Sequence, residues 1–311
     1  MNRARLLDWT VLVGLVIVWG SAFAALKTAV GALPPAWVVT SRLWIGAVTL
    51  LAVMIWLRER APKLTPRPDR LWLWYAGVGV LGTALPFALF AFASTRLPSA
   101  VVAICSGATP VFTAILAHLF VSSDRLTARR SLGVGLGFIG IILLVGPGVL
   151  TLLGANAVAS QGVAVALVAG LLGGIGYAAG SILTRQAPPI SATTGAFVFC
   201  FTGALAATPL ALLQAGPPTW PGAAAATSIL FLGVGPTGLA SAAWVWLVHR
   251  RGPVFGSFPT YLAPVWATLV GVLLLGERPG WTAYAALALI LAGVAVASRP
   301  SRAVRAAAGS R

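Results

Sequence analysis

Residues 98–121 read PSAVVAICSGATPVFTAILAHLFV and contain no Asp, Glu, Lys or Arg. As an α-helix, at about 1.5 Å per residue, such a run is about 36 Å long. A bilayer's hydrocarbon core is about 30 Å thick. The apolar residues are continuous, whereas strands of a membrane barrel alternate over short segments. The run therefore reads as a membrane-spanning helix. Pro110 lies near its middle, where the missing backbone donor predicts a kink or break. Working outward, similar blocks cover about 8–30, 34–56, 71–93, 129–147, 161–184, 191–213, 222–248, 253–275 and 280–298, which makes ten spans in all. Pro34-Pro35, Gly146-Pro147-Gly148, Pro188-Pro189, Gly216-Pro217-Pro218 and Gly252-Pro253 punctuate the short gaps.

Composition agrees with a lipid-embedded chain. Of 311 residues, 59% are hydrophobic and 8% charged, against about 25% charged in soluble domains. The net charge of +16 raises the question of nucleic acid, but its distribution answers as a topology signal. With the N-terminus in the cytoplasm, all of the 21 Lys and Arg fall inside except Lys27, Arg42, Arg96 and Arg278. That asymmetry is the positive-inside pattern and fits ten spans with both termini cytoplasmic. The 299–311 stretch is then a basic cytoplasmic tail. Arg3, Arg5 and the small-x-small triplet Ala22-Phe23-Ala24 resemble a cleavable leader. The run continues into further spans, so it is read as an uncleaved first helix. Cys105 and Cys200 lie inside apolar blocks without metal-ligand spacing, as packing residues.

The two halves resemble each other. Leu97-Pro98-Ser99-Ala100, Ala108-Thr109-Pro110-Val111 and Ser123-Asp124-Arg125 in the first half have counterparts in the second. These are Gly252-Pro253-Val254-Phe255, Ala263-Pro264-Val265-Trp266 and Gly276-Glu277-Arg278. Trp19, Phe23 and Lys27 likewise match Tyr177, Ser181 and Arg185. Repeats of five spans, an odd number, must be inverted relative to each other. Such an architecture places a substrate site near the midplane, where the repeats meet. The expected fold is an all-α membrane protein with ten transmembrane helices as two inverted five-helix repeats, 8–147 and 161–298.

On these residues the chain resembles the drug/metabolite transporter superfamily, and within it tandem EamA-type transporters. The resemblance rests on Trp19-Gly20-Ser21-Ala22-Phe23 leading to Lys27, on Pro35 and Arg42, on Thr109-Pro110-Val111 and on Gly276-Glu277-Arg278. It departs at Ser123-Asp124, where a Gly-Glu pair is usual, and at Tyr177, where Trp is common. The resemblance implies export of metabolites or drugs, amino acids prominently among them.

Several side chains are candidates for the site. Trp19, Phe23 and Tyr177 sit deep in the first span of each half, where aromatic faces can line a cavity and stack on a substrate. Ser106, Thr109, Ser181, Thr260 and Tyr261 supply polar groups to orient it. Pro110 and Pro264 are paired gating hinges. Arg42, a charge within a span, either meets a substrate carboxylate or snorkels to the outer headgroups. His118 either titrates in proton coupling or packs as a neutral ring. Trp72, Trp74, Trp244 and Trp246 lie near span ends as interfacial aromatics.

The acids Asp8, Glu59, Asp69, Asp124 and Glu277 fall at span ends or in loops, which leaves no embedded carboxylate for a proton relay. No P-loop pattern is present. Neither metal nor cofactor is expected. The reading is an inner-membrane exporter, not an enzyme, acting on amino acids, aromatic or apolar ones included, or on similar small metabolites. It would work facilitatively by alternating access. Export of cationic drugs is the alternative; a membrane-embedded enzyme and a non-transporting scaffold are readings of another class. The expected partners are a small-molecule substrate and membrane lipid, with no nucleic acid. The glycine faces at Gly133 to Gly137, Gly170 to Gly174 and Gly176 to Gly180 are assigned to packing within a monomer.

Overall fold

The computed structural model describes residues 3–60, 70–120, 127–152, 157–251 and 258–298. The Ser123-Asp124-Arg125 turn, Gly252-Pro253-Val254-Phe255, the basic residues Lys63 and Arg67, and the 299–311 tail lie outside these residues. So do the side chains of Tyr261 and His249.

Among the described residues every regular element is helical. The helices are α1 (Arg3–Val30), α2 (Pro35–Trp56), α3 (Arg70–Gly79), α4 (Leu85–Arg96), α5 (Ser99–Gly107), α6 (Thr109–Phe120), α7 (Ala128–Leu152), α8 (Ala157–Gln186), α9 (Ala192–Ala215), α10 (Ala223–Leu232), α11 (Ala240–Arg251), α12 (Phe258–Leu275) and α13 (Trp281–Ser298). A π-helical segment, Val80–Ala84, joins α3 to α4, and another, Gly233–Leu239, joins α10 to α11. Among the described residues eight stretches are long and apolar enough to cross a membrane: Leu6–Val30, Pro35–Trp56, Arg70–Arg96, Ser99–Phe120, Gln161–Gln186, Ala192–Ala215, Ala223–Trp244 and Phe258–Leu275. Ser131–Leu144 and Trp281–Ala297 are shorter apolar helices. The outer surface is apolar: Leu73, Trp56 and Leu213 are 80%, 81% and 84% exposed. In water such a surface would aggregate; in a bilayer it faces lipid. The chain is an integral membrane protein.

Lipid removes the hydrophobic force between helices, so close backbone approach and interhelical hydrogen bonds hold the bundle. Helices α2 and α9 pack side by side and are tied along their length. Trp37 Nε1 donates to Gly216 O at 2.9 Å, and Trp44 Nε1 donates to Thr208 Oγ1 at 3.0 Å. At the other end of α2, Glu59 accepts from Ser191 Oγ and Thr194 Oγ1, at the N-terminus of α9. Helices α7 and α13 meet backbone to backbone. A Cβ on Gly133 would lie 2.4 Å from Gly293 O, and one on Gly293 the same distance from Gly133 O. The glycines of α8 also face neighbours within the chain, Gly180 against Gly82 and Gly170 against Cys105.

The span over 98–121 breaks at Ala108, the C-cap of α5, two residues before Pro110, where a kink or break is expected. Two local features differ from the sequence reading. Pro264, by contrast, lies inside an uninterrupted α12. Helix α7 runs through Gly146-Pro147-Gly148 to Leu152. Glycine and proline weaken a helix by a local cost, but bare backbone groups in lipid cost more.

Candidate functional site

The two π-helical segments point side chains inward. Thr83 Oγ1 donates to Val78 O at 3.2 Å and Thr237 Oγ1 to Leu232 O at 2.8 Å, each five residues back. This is the wide π register, common at functional sites. Both threonines line a cavity of about 780 Å³ inside the bundle.

One wall of the cavity is a chain of aromatic contacts. Phe23 meets Phe90 edge-on at 6.4 Å between centroids, and Phe90 lies 5.2 Å from Tyr177. Tyr177 meets Phe87 edge-on at 6.0 Å. Phe87 carries the Arg42 guanidinium 3.7 Å above its ring centroid. Arg42 Nε donates to Thr237 Oγ1 at 2.8 Å. Elsewhere in the lining, Trp19 Nε1 donates to Pro236 O at 3.2 Å, and its ring stands 6.5 Å from that of Trp244.

The expected residues Trp19, Phe23, Ser106, Thr109, Pro110, Tyr177, Ser181, Thr260 and Pro264 all line this cavity, as does Arg42. His118 is exposed and is not part of the lining. Arg42 turns to Thr237 in the cavity lining. Trp244, expected at an interface, lines the cavity instead. Sequence reasoning missed Phe87, Phe90, Thr83 and Thr237. The only sequence signals for them are the proline-interrupted runs Gly82-Thr83-Ala84-Leu85-Pro86 and Gly233-Val234-Gly235-Pro236-Thr237.

Polar chemistry in the lining is sparse. Ser181 Oγ is turned back to Tyr177 O at 2.9 Å. Thr109 Oγ1 is buried with no hydrogen-bond partner among the described residues. Those residues also hold no cluster of His, Cys, Asp and Glu able to bind a metal. Cys105 and Cys200 are buried free thiols.

Charged groups sit at both ends of the bundle. At the C-terminal end of α1, Lys27 Nζ donates to Ser94 O at 2.7 Å and Leu97 O at 2.8 Å. Beside it, Glu277 accepts from Ser99 N at 2.6 Å, Ser99 Oγ at 3.0 Å and Ala100 N at 3.2 Å. At the N-terminal end of α1, Arg250 Nε pairs with Asp8 at 2.7 Å.

A model of the EamA-like transporter family matches residues 9–146 and 160–299. Relatives named as exporters are similar over nearly the whole chain. A "Probable terminal-alkyne amino-acid exporter" of Streptantibioticus cattleyicolor is 26% identical over 93% of this chain and 92% of its own. The "Aromatic amino acid exporter YddG" of Ancylobacter novellus is 26% identical over 92% and 95%. An "Uncharacterized transporter" of Archaeoglobus fulgidus is 25% identical over 94% and 98%. A crystal structure shares the fold at a TM-score of 0.64 with 22% identity, covering 94% of this chain and 97% of that one.

Proposed function

From the premise that the chain belongs to the EamA-like transporter family and is a membrane transporter, we propose that it exports amino acids with aromatic or apolar side chains, or similar small metabolites, across a bacterial-type inner membrane. The observation that carries this reading is the 780 Å³ cavity, whose aromatic wall is assembled from both halves of the chain: Phe23, Phe87 and Phe90 from the first and Tyr177 from the second. An apolar pocket with few polar groups suits a ligand with one large apolar moiety and one polar end. Two of the relatives carry amino-acid exporter names, which supports the substrate class.

The architecture in this proposal is ten spans in two inverted repeats, with α7 and α13 as the fifth and tenth. Helix packing supports it. Exchanging the halves maps the α2–α9 and α7–α13 pairs onto themselves, α1–α12 onto α8–α6, and α4–α8 onto α11–α1. The π segments of the third and eighth spans exchange as well. With both termini cytoplasmic, Lys27 and Glu277 close the outer end. Ala117, Gly133 and Ala297, in the cavity lining, belong to the inner end. The conformation is then inward-facing, and transport proceeds by alternating access in a monomer without ion coupling.

Reconstitution in liposomes tests this. Labelled phenylalanine, tryptophan, leucine and alanine should exchange across the membrane with no pH gradient imposed. Absence of flux for every amino acid overturns the substrate class, and stimulation by a gradient overturns the uncoupled mechanism.

A further inference from the structure

Arg42 is the one charged side chain in the cavity lining among the described residues. Its geometry is half used. Nε is bonded to Thr237 Oγ1 at 2.8 Å, while the two terminal nitrogens have no partner among the described residues. Thr237 spends its own proton on Leu232 O, so its oxygen can only accept from Arg42. The Phe87 ring, 3.7 Å away, holds the guanidinium plane from the side. The fork is thus pinned at its root and along one face, in the lining of the cavity.

Among the described residues no carboxylate is placed to neutralise it. Asp8 is held by Arg250, Glu59 by Ser191 and Thr194, and Glu277 by the first turn of α5. A guanidinium at membrane depth without a counter-charge is costly, and a fork of this shape matches a carboxylate through two parallel hydrogen bonds. The same lining offers no acid to hold an ammonium, and the unpaired positive charge of Arg42 repels one.

We propose that Arg42 is the carboxylate anchor of the transport site and that the site does not read the ligand's amine. The ligand class is apolar or aromatic monocarboxylates, of which amino acids are the members that happen to carry an ammonium. This rests on the transporter reading above and narrows it: the carboxylate is required and the amine dispensable.

The test uses full-length protein in liposomes exchanging labelled phenylalanine, with unlabelled competitors added to the wild type. 3-Phenylpropionate should compete within about threefold of phenylalanine itself, while phenylalaninamide and phenethylamine should be weaker by about tenfold or more. Amines that compete as well as the acid, or a 3-phenylpropionate that does not compete, overturn the proposal while leaving transport of phenylalanine standing. If phenylalanine does not exchange at all, the function reading falls. The anchor is then read directly from tryptophan fluorescence, since Trp19 and Trp244 line the cavity. Saturable quenching by 3-phenylpropionate but not phenethylamine supports it, and no difference between the two overturns it. Arg42→Lys, which keeps the charge and loses the fork, should weaken the acid about tenfold. Arg42→Gln should abolish the difference between acid and amine, and an acid preference that survives in folded Arg42→Gln overturns the proposal.

Discussion

Glu277 shows how a single side chain can hold a corner of this bundle. The first backbone N–H groups of a helix lack intrahelical partners and attract negative charge, and Glu277 reaches those of Ser99 and Ala100 from the connection between α12 and α13. Lys27 serves the carbonyls at the C-terminal end of α4 in the complementary way. Glu277→Ala should cost about 1.5–3 kcal/mol, the range for hydrogen bonds to a charged group, and lower the thermal midpoint of the detergent-solubilised protein by several degrees. An unchanged midpoint would show that the corner is held by packing alone. Thr109 predicts the opposite behaviour. Its hydroxyl is buried without a described partner, so Thr109→Val removes an unsatisfied polar group at constant shape. The midpoint should stay level or rise, and a clear fall would reveal a partner for the hydroxyl in solution.

At the scale of elements, α7 and α13 test whether close approach holds the bundle. Gly133 faces Gly293 O, whereas a Cβ on Gly135 would meet nothing within 4 Å. In a helix interior alanine is favoured over glycine by about 0.5–1 kcal/mol. Gly135→Ala should therefore be neutral or stabilising. Gly133→Ala puts a methyl against backbone that cannot rotate away, and overpacking of this kind costs about 1–3 kcal/mol. Thermal unfolding of the two variants in parallel gives the comparison, and equal midpoints would argue that the helices separate easily. The π segments matter at this scale too, because the extra residue in each turn swings Thr83 and Thr237 into the cavity.

For the molecule as a whole, the cavity should be reachable by water-borne reagents while the native thiols are not. Cys105 and Cys200 are fully buried and should resist a small charged thiosulfonate. Ser181 lines the cavity and is exposed, so Ser181→Cys should react, and a bound ligand should slow it. Mass spectrometry of vesicles labelled from one side and then the other reads this directly. Reaction from the cytoplasmic side fits the inward-facing reading; reaction confined to the outer side contradicts it.

Much of the membrane character was legible because lipid imposes strong local constraints. Eight stretches and two shorter helices fall where continuous apolar blocks were expected, and the lining takes up Trp19, Phe23, Thr109 and Tyr177, residues marked out by aromatic or polar character at helical spacing. Four features could not be read this way. Trp244 resembles any tryptophan near a span end until the fold sets it beside Trp19. Arg42 could reach headgroups or the interior, and only Thr237 and Phe87, distant in sequence, hold it in the cavity lining. The break at Ala108 falls at Pro110 while Pro264 stays within a helix, because a lost backbone bond is answered differently by each set of neighbours. The π segments leave almost no trace in composition. A helical, lipid-embedded chain and its family follow from the amino-acid order alone, since hydrophobic length and motif residues act locally along the chain. Which side chains share the cavity, and that Arg42 is the charge among them in the described residues, comes from the folded arrangement, because those depend on contacts between helices far apart in sequence.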